Sequence, residues 1–256
     1  MTAVSIFSIP GVPDITSGDD LARILGDAIH SHAGGIAQND ILVVAQKVVS
    51  KAEGLFVDLD EVAPSAEAKE LADQLGKDAR YVEVVLRQSS RVVKHFWHPS
   101  QKEGTLICEH VSGHISANAG VDRSNVGGEN RVLLLPRDPD ACARRLHQSL
   151  QARFACAFGL VISDTFGRPW RLGQVNVAIG AAGLPALRTE IGNLDAHGRE
   201  LSVTEPAFGD EIAAASGLVI GKASRTPLVM IRGLHWHEKP GCAGDLLRNQ
   251  SEDMFK

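Results

Sequence analysis

The stretch ILVVA at 41–45, running straight into QKVVSKAEG at 46–54, decides how this chain is read. Five consecutive apolar, mostly branched residues are too few for a helix. They describe a strand buried on both faces, where the usual apolar/polar alternation disappears because protein covers each side. Such a strand needs neighbours of its own kind. VLLL at 132–135, LVIS at 160–163 and LVMI at 228–231 are equally short and bounded by polar or turn residues, so they too are read as buried strands.

Working outward, the period changes to that of a helix. Asp19 or Asp20 opens a stripe through Leu21, Ile24, Leu25 and Ala28. Ala68, Leu71, Ala72 and Leu75 repeat it, Gly76 supplies a stop, and Asp78 starts another helix with Val82, Val85 and Leu86 on one side, giving a helical pair over 64–90. Asp138-Pro139 is a start signal, because the carboxylate accepts from free amides while proline has none to leave unpaired; that helix is expected to reach about Gln151. DEIAAASGLV at 210–219 reads as a buried helix weakened at Gly217, and 95–104 (HFWHPSQKEG) as an exposed bend. Strands and helices without strict alternation favour an α+β fold. With no repeat and no Pro/Gly/Ser-rich linker, 1–256 reads as a single domain.

Composition narrows the function. The 256 residues are 44% hydrophobic and 22% charged, an ordinary globular balance, and the 5% aromatic content leaves the core to aliphatic residues. A formal charge of −5 provides no general attraction to a phosphate backbone, so nucleic acid is not an expected partner. Cys108, Cys142, Cys156 and Cys242 form no CxxC pair and suit reduced thiols. No basic N-terminal segment precedes a long apolar run, and no window has the ~18 apolar residues of a membrane span, so a cytoplasmic location is expected.

Neither GxGxxG nor GxxxxGK[ST] occurs. More informative are Asp122 in NAGVDRSN and Asp164 in ISDTFGRPWR, each a carboxylate near a strand end. Mg²⁺ or Mn²⁺ bridging phosphates takes one or two such groups plus substrate oxygens and water, and Thr165 offers a hydroxyl beside them. The same residues also serve as turn caps. Gln46, Lys47 and Lys51 follow the first buried strand; they describe either polar groups entering a crevice, with Lys as a point charge for phosphate, or a solvated helix face. Arg168 and Arg171 either clamp an anion or pair with carboxylates. Gly221-Lys222-Ala223 reads as a helix-ending turn whose backbone could also hold phosphate.

Several stretches stand together in one family: VVAQKVVSKAEG at 43–54, SANAGVDRSNV at 116–126, LLLPRDPDACARRL at 133–146, ISDTFGRPWRLGQVNVAIG at 162–180, HGRELSVTEPAFGDEIAAASGLVIGKA at 197–223 and PLVMIRG at 227–233. The chain resembles the coenzyme F-420-0:L-glutamate ligases over nearly its whole length. The resemblance implies a GTP-dependent amide ligase that attaches L-glutamate to the deazaflavin precursor coenzyme F-420-0, commonly twice, through an acyl phosphate. It implies Asp122 and Asp164 as metal ligands, Thr165 as ligand of a second ion, and Val12, Pro13, Asp14, Ile15, Gln46, Lys47, Lys51, Asn125 and Gly221 as GTP contacts. Mn²⁺ or Mg²⁺, a pair of ions per subunit, with K⁺ as an auxiliary ion, are the implied cofactors. A mixed-sheet fold with two subdomains, paired into an intertwined homodimer, is the implied architecture. One departure stands out: relatives often carry Glu or Gln after the Gly that follows the Ala-rich helix, whereas Lys222 stands here, and an ammonium is a poor metal ligand.

Overall fold

Helix boundaries follow the side chains that cap them. Asp20 Oδ1 accepts from the Arg23 amide at 3.0 Å, Ser65 Oγ from Ala68 at 3.2 Å, Asp78 Oδ1 from Arg80 at 2.8 Å and Asp138 Oδ1 from Ala141 at 2.8 Å. Left-handed Gly34 and Gly76 end two of these helices. The chain, described by a computed structural model over residues 3–98, 100–124, 126–128, 130–221 and 225–253, contains ten strands and six α-helices among those residues.

In order they are β1 (Ser5–Ser8), α1 (Leu21–Ala33), β2 (Ile41–Ala45), α2 (Gln46–Ala52), β3 (Phe56–Asp58), α3 (Ala66–Leu75), α4 (Ala79–Arg87), β4 (Ser89–Phe96), β5 (Thr105–His110), β6 (Ile115–Ala117), β7 (Arg131–Leu133), α5 (Pro139–Phe154), β8 (Gly159–Arg168), β9 (Arg171–Ala182), α6 (Phe208–Ser216) and β10 (Leu228–Arg232). The main sheet has the order β1-β10-β2-β8-β9. All neighbours are antiparallel except β2 and β8, so the sheet is mixed and the expected α+β class holds.

Both faces of this sheet are covered, as the unbroken apolar runs require. Leu42, Val44, Leu160, Ile162, Leu228 and Met230 pack with Leu25 and Ile29 of α1 and Leu146 and Leu150 of α5. Ile41, Val43, Val161, Val229 and Ile231 face the other way, onto Phe208, Ile212 and Ala213 of α6. Register is therefore fixed on both sides. The start of α5 presses onto β9 at Gly180, where a Cβ would stand 2.4 Å from the Pro139 carbonyl oxygen. Asp140 fastens the same corner, accepting from the amides of Ala181 at 2.8 Å, Ala243 at 2.8 Å and Gly244 at 3.1 Å.

Residues 46–158, which separate β2 from β8, carry a second core: Leu59, Ala72, Leu75, Val82, Val85, Leu106 and Val132 close together beneath α3, α4 and the β4-β5-β6 sheet. Five expectations need correction. The strand read at 132–135 is β7, ending at Leu133 and paired with β3 outside the main sheet, a pairing that the Leu134 amide extends by donating to the Leu55 carbonyl at 2.9 Å. The strand read at 160–163 continues to Arg168, because its polar half pairs with β9 beyond the covered part of the sheet. The helix read at 210–219 starts at Phe208 and ends at Ser216, so Gly217 is its C-cap and Leu218 is 82% exposed. The helix from Pro139 also runs one turn past Gln151. The bend read at 95–104 begins after Phe96.

Glu83 joins the two helices of the second core. Its carboxylate accepts the Ser65 amide at 2.9 Å and Arg87 Nε at 2.8 Å, and the Ser65 hydroxyl and amide, with Arg87, hold its pKa at about 2 against an ordinary 4.5. A depressed carboxylate stabilises the fold above its unfolded pKa and loses that contribution as pH falls through the folded one. Glu83→Gln is expected to lower unfolding free energy by about 1–2 kcal/mol at neutral pH. The gap to wild type should narrow as pH falls below about 4.5 in urea titrations; a constant gap would contradict the linkage.

Candidate active site

Because β2 and β8 run parallel and in register, with Ala45 opposite Ser163, their carboxyl ends stop side by side. Ligands of sheets containing parallel strands gather at such ends. From the first end the chain enters α2 without an intervening loop, placing Gln46 and Lys47 there. From the second, β8 continues as Asp164 and Thr165. Strand alternation puts Asp164 on the side of Ile162 and Phe166, which pack into the core shared with α2 and α5, and sends Thr165 to the opposite side.

Asp122 reaches this place from the second core. Its backbone pairs with Leu133 in a single antiparallel bridge, with N–H to O distances of 3.0 and 2.9 Å. Just ahead, Asn118, Ala119 and Gly120 all have positive φ (54°, 48° and 70°), a left-handed turn that costs non-glycine residues of order 1–3 kcal/mol each and persists only where packing enforces it. Tyr81 supplies that enforcement. Its buried hydroxyl donates to the Val121 carbonyl at 2.8 Å, and the Arg123 guanidinium lies 4.0 Å from the centre of its ring, so one α4 side chain holds both neighbours of Asp122.

The charges are arranged closely. Lys47 Nζ lies 2.8 Å from Asp122 Oδ2 and donates to Ser124 Oγ at 2.6 Å, while the Ser124 amide donates to Asp122 Oδ1 at 2.6 Å. Burial pushes the Asp122 carboxyl up, but Lys47 and Ser124 outweigh it and leave the group below its ordinary range. Asp164 goes the other way. Burial raises its pKa to about 6, and the negative Asp122 adds to the rise, against the opposing Thr165 amide and Lys47.

Thr165 Oγ1 donates to Asn176 Oδ1 at 2.9 Å, Asn176 Nδ2 to Ser216 Oγ at 3.4 Å, and Ser216 Oγ to the Ala213 carbonyl at 2.6 Å. This chain of bonds ties the strand pair to the end of α6 and leaves the Thr165 oxygen free to accept. Among the described residues no three His, Cys, Asp or Glu side chains could hold an ion by themselves. Asp122 and Asp164, coupled electrostatically, nonetheless form the pair of hard oxygen donors that suits Mg²⁺ or Mn²⁺ completed by substrate oxygens and water, while Thr165 faces the other side of β8 and the buried Gln46 Oε1 lacks a hydrogen-bond partner among the described residues.

The remaining residues singled out in the sequence fall around this centre unevenly. Gln46 is buried, and Lys51 is half-buried one turn after Lys47. Lys47 is ion-paired, which sets aside the solvated-face reading for it. The loop Val12, Pro13, Asp14 and Ile15 runs beside α2: Ile15 is buried, Val12 packs on the core, and the Gly18 amide donates to the Ala52 carbonyl at 2.9 Å. Pro13 and Asp14 line an open cavity of about 530 Å³ together with Arg23, Asp27 and His32 of α1. Gly11 opens the loop at φ 85°, with His32 2.6 Å from where a Cβ would stand. Arg168 donates to the Leu172 carbonyl at 3.1 Å, so it braces the tip of the β8-β9 hairpin. Gly221 closes the segment leaving α6; Asn125 and Lys222 lie outside the described residues. Sequence reading passed over Tyr81, Asn176 and Ser216, which carry no chemical signature of their own.

The chain matches the family model described as F420-0:Gamma-glutamyl ligase over residues 11–233. It is 38% identical over 256 residues to the coenzyme F420:L-glutamate ligase of Methanothermobacter thermautotrophicus, covering 99% of each chain. The protein of the same name from Methanopyrus kandleri is 40% identical over 261 residues, covering 100% of this chain and 99% of that one. The one from Natronomonas pharaonis is 41% identical over 253 residues, covering 96% and 92%. No helix among the described residues is long and apolar enough to cross a membrane.

Tyr81→Phe should leave the Val121 carbonyl without its partner while keeping the ring beneath Arg123. The expected loss is about 1–2 kcal/mol of unfolding free energy, read by chemical denaturation; an unchanged midpoint would mean the Asp122 turn does not depend on that hydroxyl.

Proposed function

This chain belongs to the F420-0:Gamma-glutamyl ligase family, and from that premise we propose that it forms an amide bond between L-glutamate and coenzyme F-420-0, with GTP as the energy source. The observation that carries the reading is that the family match contains the very segments whose side chains, Lys47, Asp122 and Asp164, meet at the ends of β2 and β8.

A carboxylate resists attack by an amine because it is negative and has no adequate leaving group. In the proposed sequence a precursor carboxylate oxygen attacks the γ-phosphorus of GTP; the new O–P bond forms as the bond to the β,γ-bridging oxygen breaks, and GDP departs. The neutral amine of glutamate then adds to the acyl carbon, the C–O bond to phosphate breaks, phosphate leaves and the amine's surplus proton passes to solvent. Asp122 and Asp164 would hold Mn²⁺ or Mg²⁺, with Thr165 toward a second ion; when bound, such ions neutralise charge on the phosphate oxygens. Lys47 and Lys51 supply point charges for the triphosphate. Val12, Pro13, Asp14, Ile15, Gln46, Asn125 and Gly221 are further GTP contacts in this reading. K⁺ as an auxiliary ion and a homodimer belong to the same proposal.

The test is to incubate the protein with GTP, Mn²⁺, L-glutamate and the glutamate-free precursor and to read product mass. Mass gains of one or more glutamyl units that depend on GTP, and transfer of one ¹⁸O from a labelled precursor carboxylate to released phosphate, are expected. Asp164→Asn should slow product formation roughly 100-fold or more. GDP formed equally without precursor and glutamate, with precursor mass unchanged, would instead indicate a phosphohydrolase.

A further inference from the structure

The contacts of Asp122 have a consequence for how a cation could reach it. Both of its oxygens are engaged by protein, Oδ2 by the Lys47 ammonium at 2.8 Å and Oδ1 by the Ser124 amide at 2.6 Å, and Ser124 Oγ steadies the same ammonium at 2.6 Å. Lys47 also acts electrostatically on Asp164, so one positive charge serves both carboxylates. A divalent ion placed between them would stand beside that ammonium and compete for Oδ2, a repulsion strengthened by the partly buried setting. The lysine stem can swing from its fixed Cα on α2, but only toward another anion of comparable strength.

We infer that Lys47 acts as a built-in counter-ion that makes divalent-cation binding at Asp122 and Asp164 conditional on a polyphosphate co-substrate, which draws the ammonium away. The inference rests on the ligase reading for the identity of that co-substrate. By linkage, the cation and the polyphosphate strengthen each other's binding by the same factor. Lys47 is thus a positioning residue that sets the order of assembly, in addition to meeting phosphate.

The test reads Mn²⁺ affinity directly, by electron paramagnetic resonance of the free ion, on the full chain without nucleotide. Lys47→Gln, which keeps a good helix former on α2, should bind Mn²⁺ about tenfold or more tightly than wild type. Adding Asp164→Asn should remove the gain. Lys51→Gln makes the same charge change one turn away and should leave affinity within about twofold of wild type. No gain for Lys47→Gln, or an equal gain for Lys51→Gln, overturns the inference. Glutamate ligation by a wild type whose Lys47→Gln variant shows no gain leaves the ligase reading standing; a gain in a chain that never ligates glutamate does the reverse.

Discussion

The parallel ladder between Ile41–Ala45 and Gly159–Ser163 joins two strands that are distant in the chain, and the rest of the molecule is arranged around it. Because both strands are apolar on each side, the sheet has to be covered twice, by α1 and α5 on one face and α6 on the other. Because they are parallel, the return path from one to the other must be long. Residues 46–158 fill it with a whole second core. The carboxyl ends of the two strands lie side by side where that excursion begins, and the excursion itself brings Asp122 back to them.

Two identical residue types then behave differently because of what surrounds them. Asp122 keeps its charge through direct bonds from Lys47 and Ser124. Asp164 has burial and a negative neighbour, and its carboxyl rises accordingly. Together they stand within electrostatic reach of one another and of the Lys47 ammonium. This geometry is maintained from outside: Tyr81 holds the left-handed turn before Asp122, and the Thr165-Asn176-Ser216 bonds hold the strands to α6. Rigid support of this kind is what phosphoryl transfer requires, since most of its catalysis is positioning and charge stabilisation.

Much of this was legible in the amino-acid sequence. ILVVA and LVMI announce buried strands, and Asp20, Asp78 and Asp138 mark helix starts that the structure repeats as caps. Strands β4 and β9 were not legible. SSRVVKHF is half polar and its pairing is broken by irregularities, while RLGQVNVAIGAA is rich in small residues because α5 presses on Gly180. The polar half of β8 was missed because it pairs only with β9, away from the covered sheet. At the site, Asp122, Asp164 and Lys47 could be chosen by residue type and motif. Their convergence could not, since it depends on a strand register across residues 46–158. Tyr81 bears no motif, and only its contact with Val121 and Arg123 reveals its part.

The central claim is that these strand ends form a single cation and nucleotide site. Anomalous scattering from crystals grown with Mn²⁺ and a non-hydrolysable GTP analogue tests it most directly. The account predicts a Mn²⁺ peak bonded to carboxylate oxygens of both Asp122 and Asp164, at the roughly 2.1 Å typical of small octahedral divalent ions. A peak elsewhere, such as among Asp14, Asp19 and Asp27 around the α1 cavity, with neither strand-end carboxylate as ligand, would contradict it.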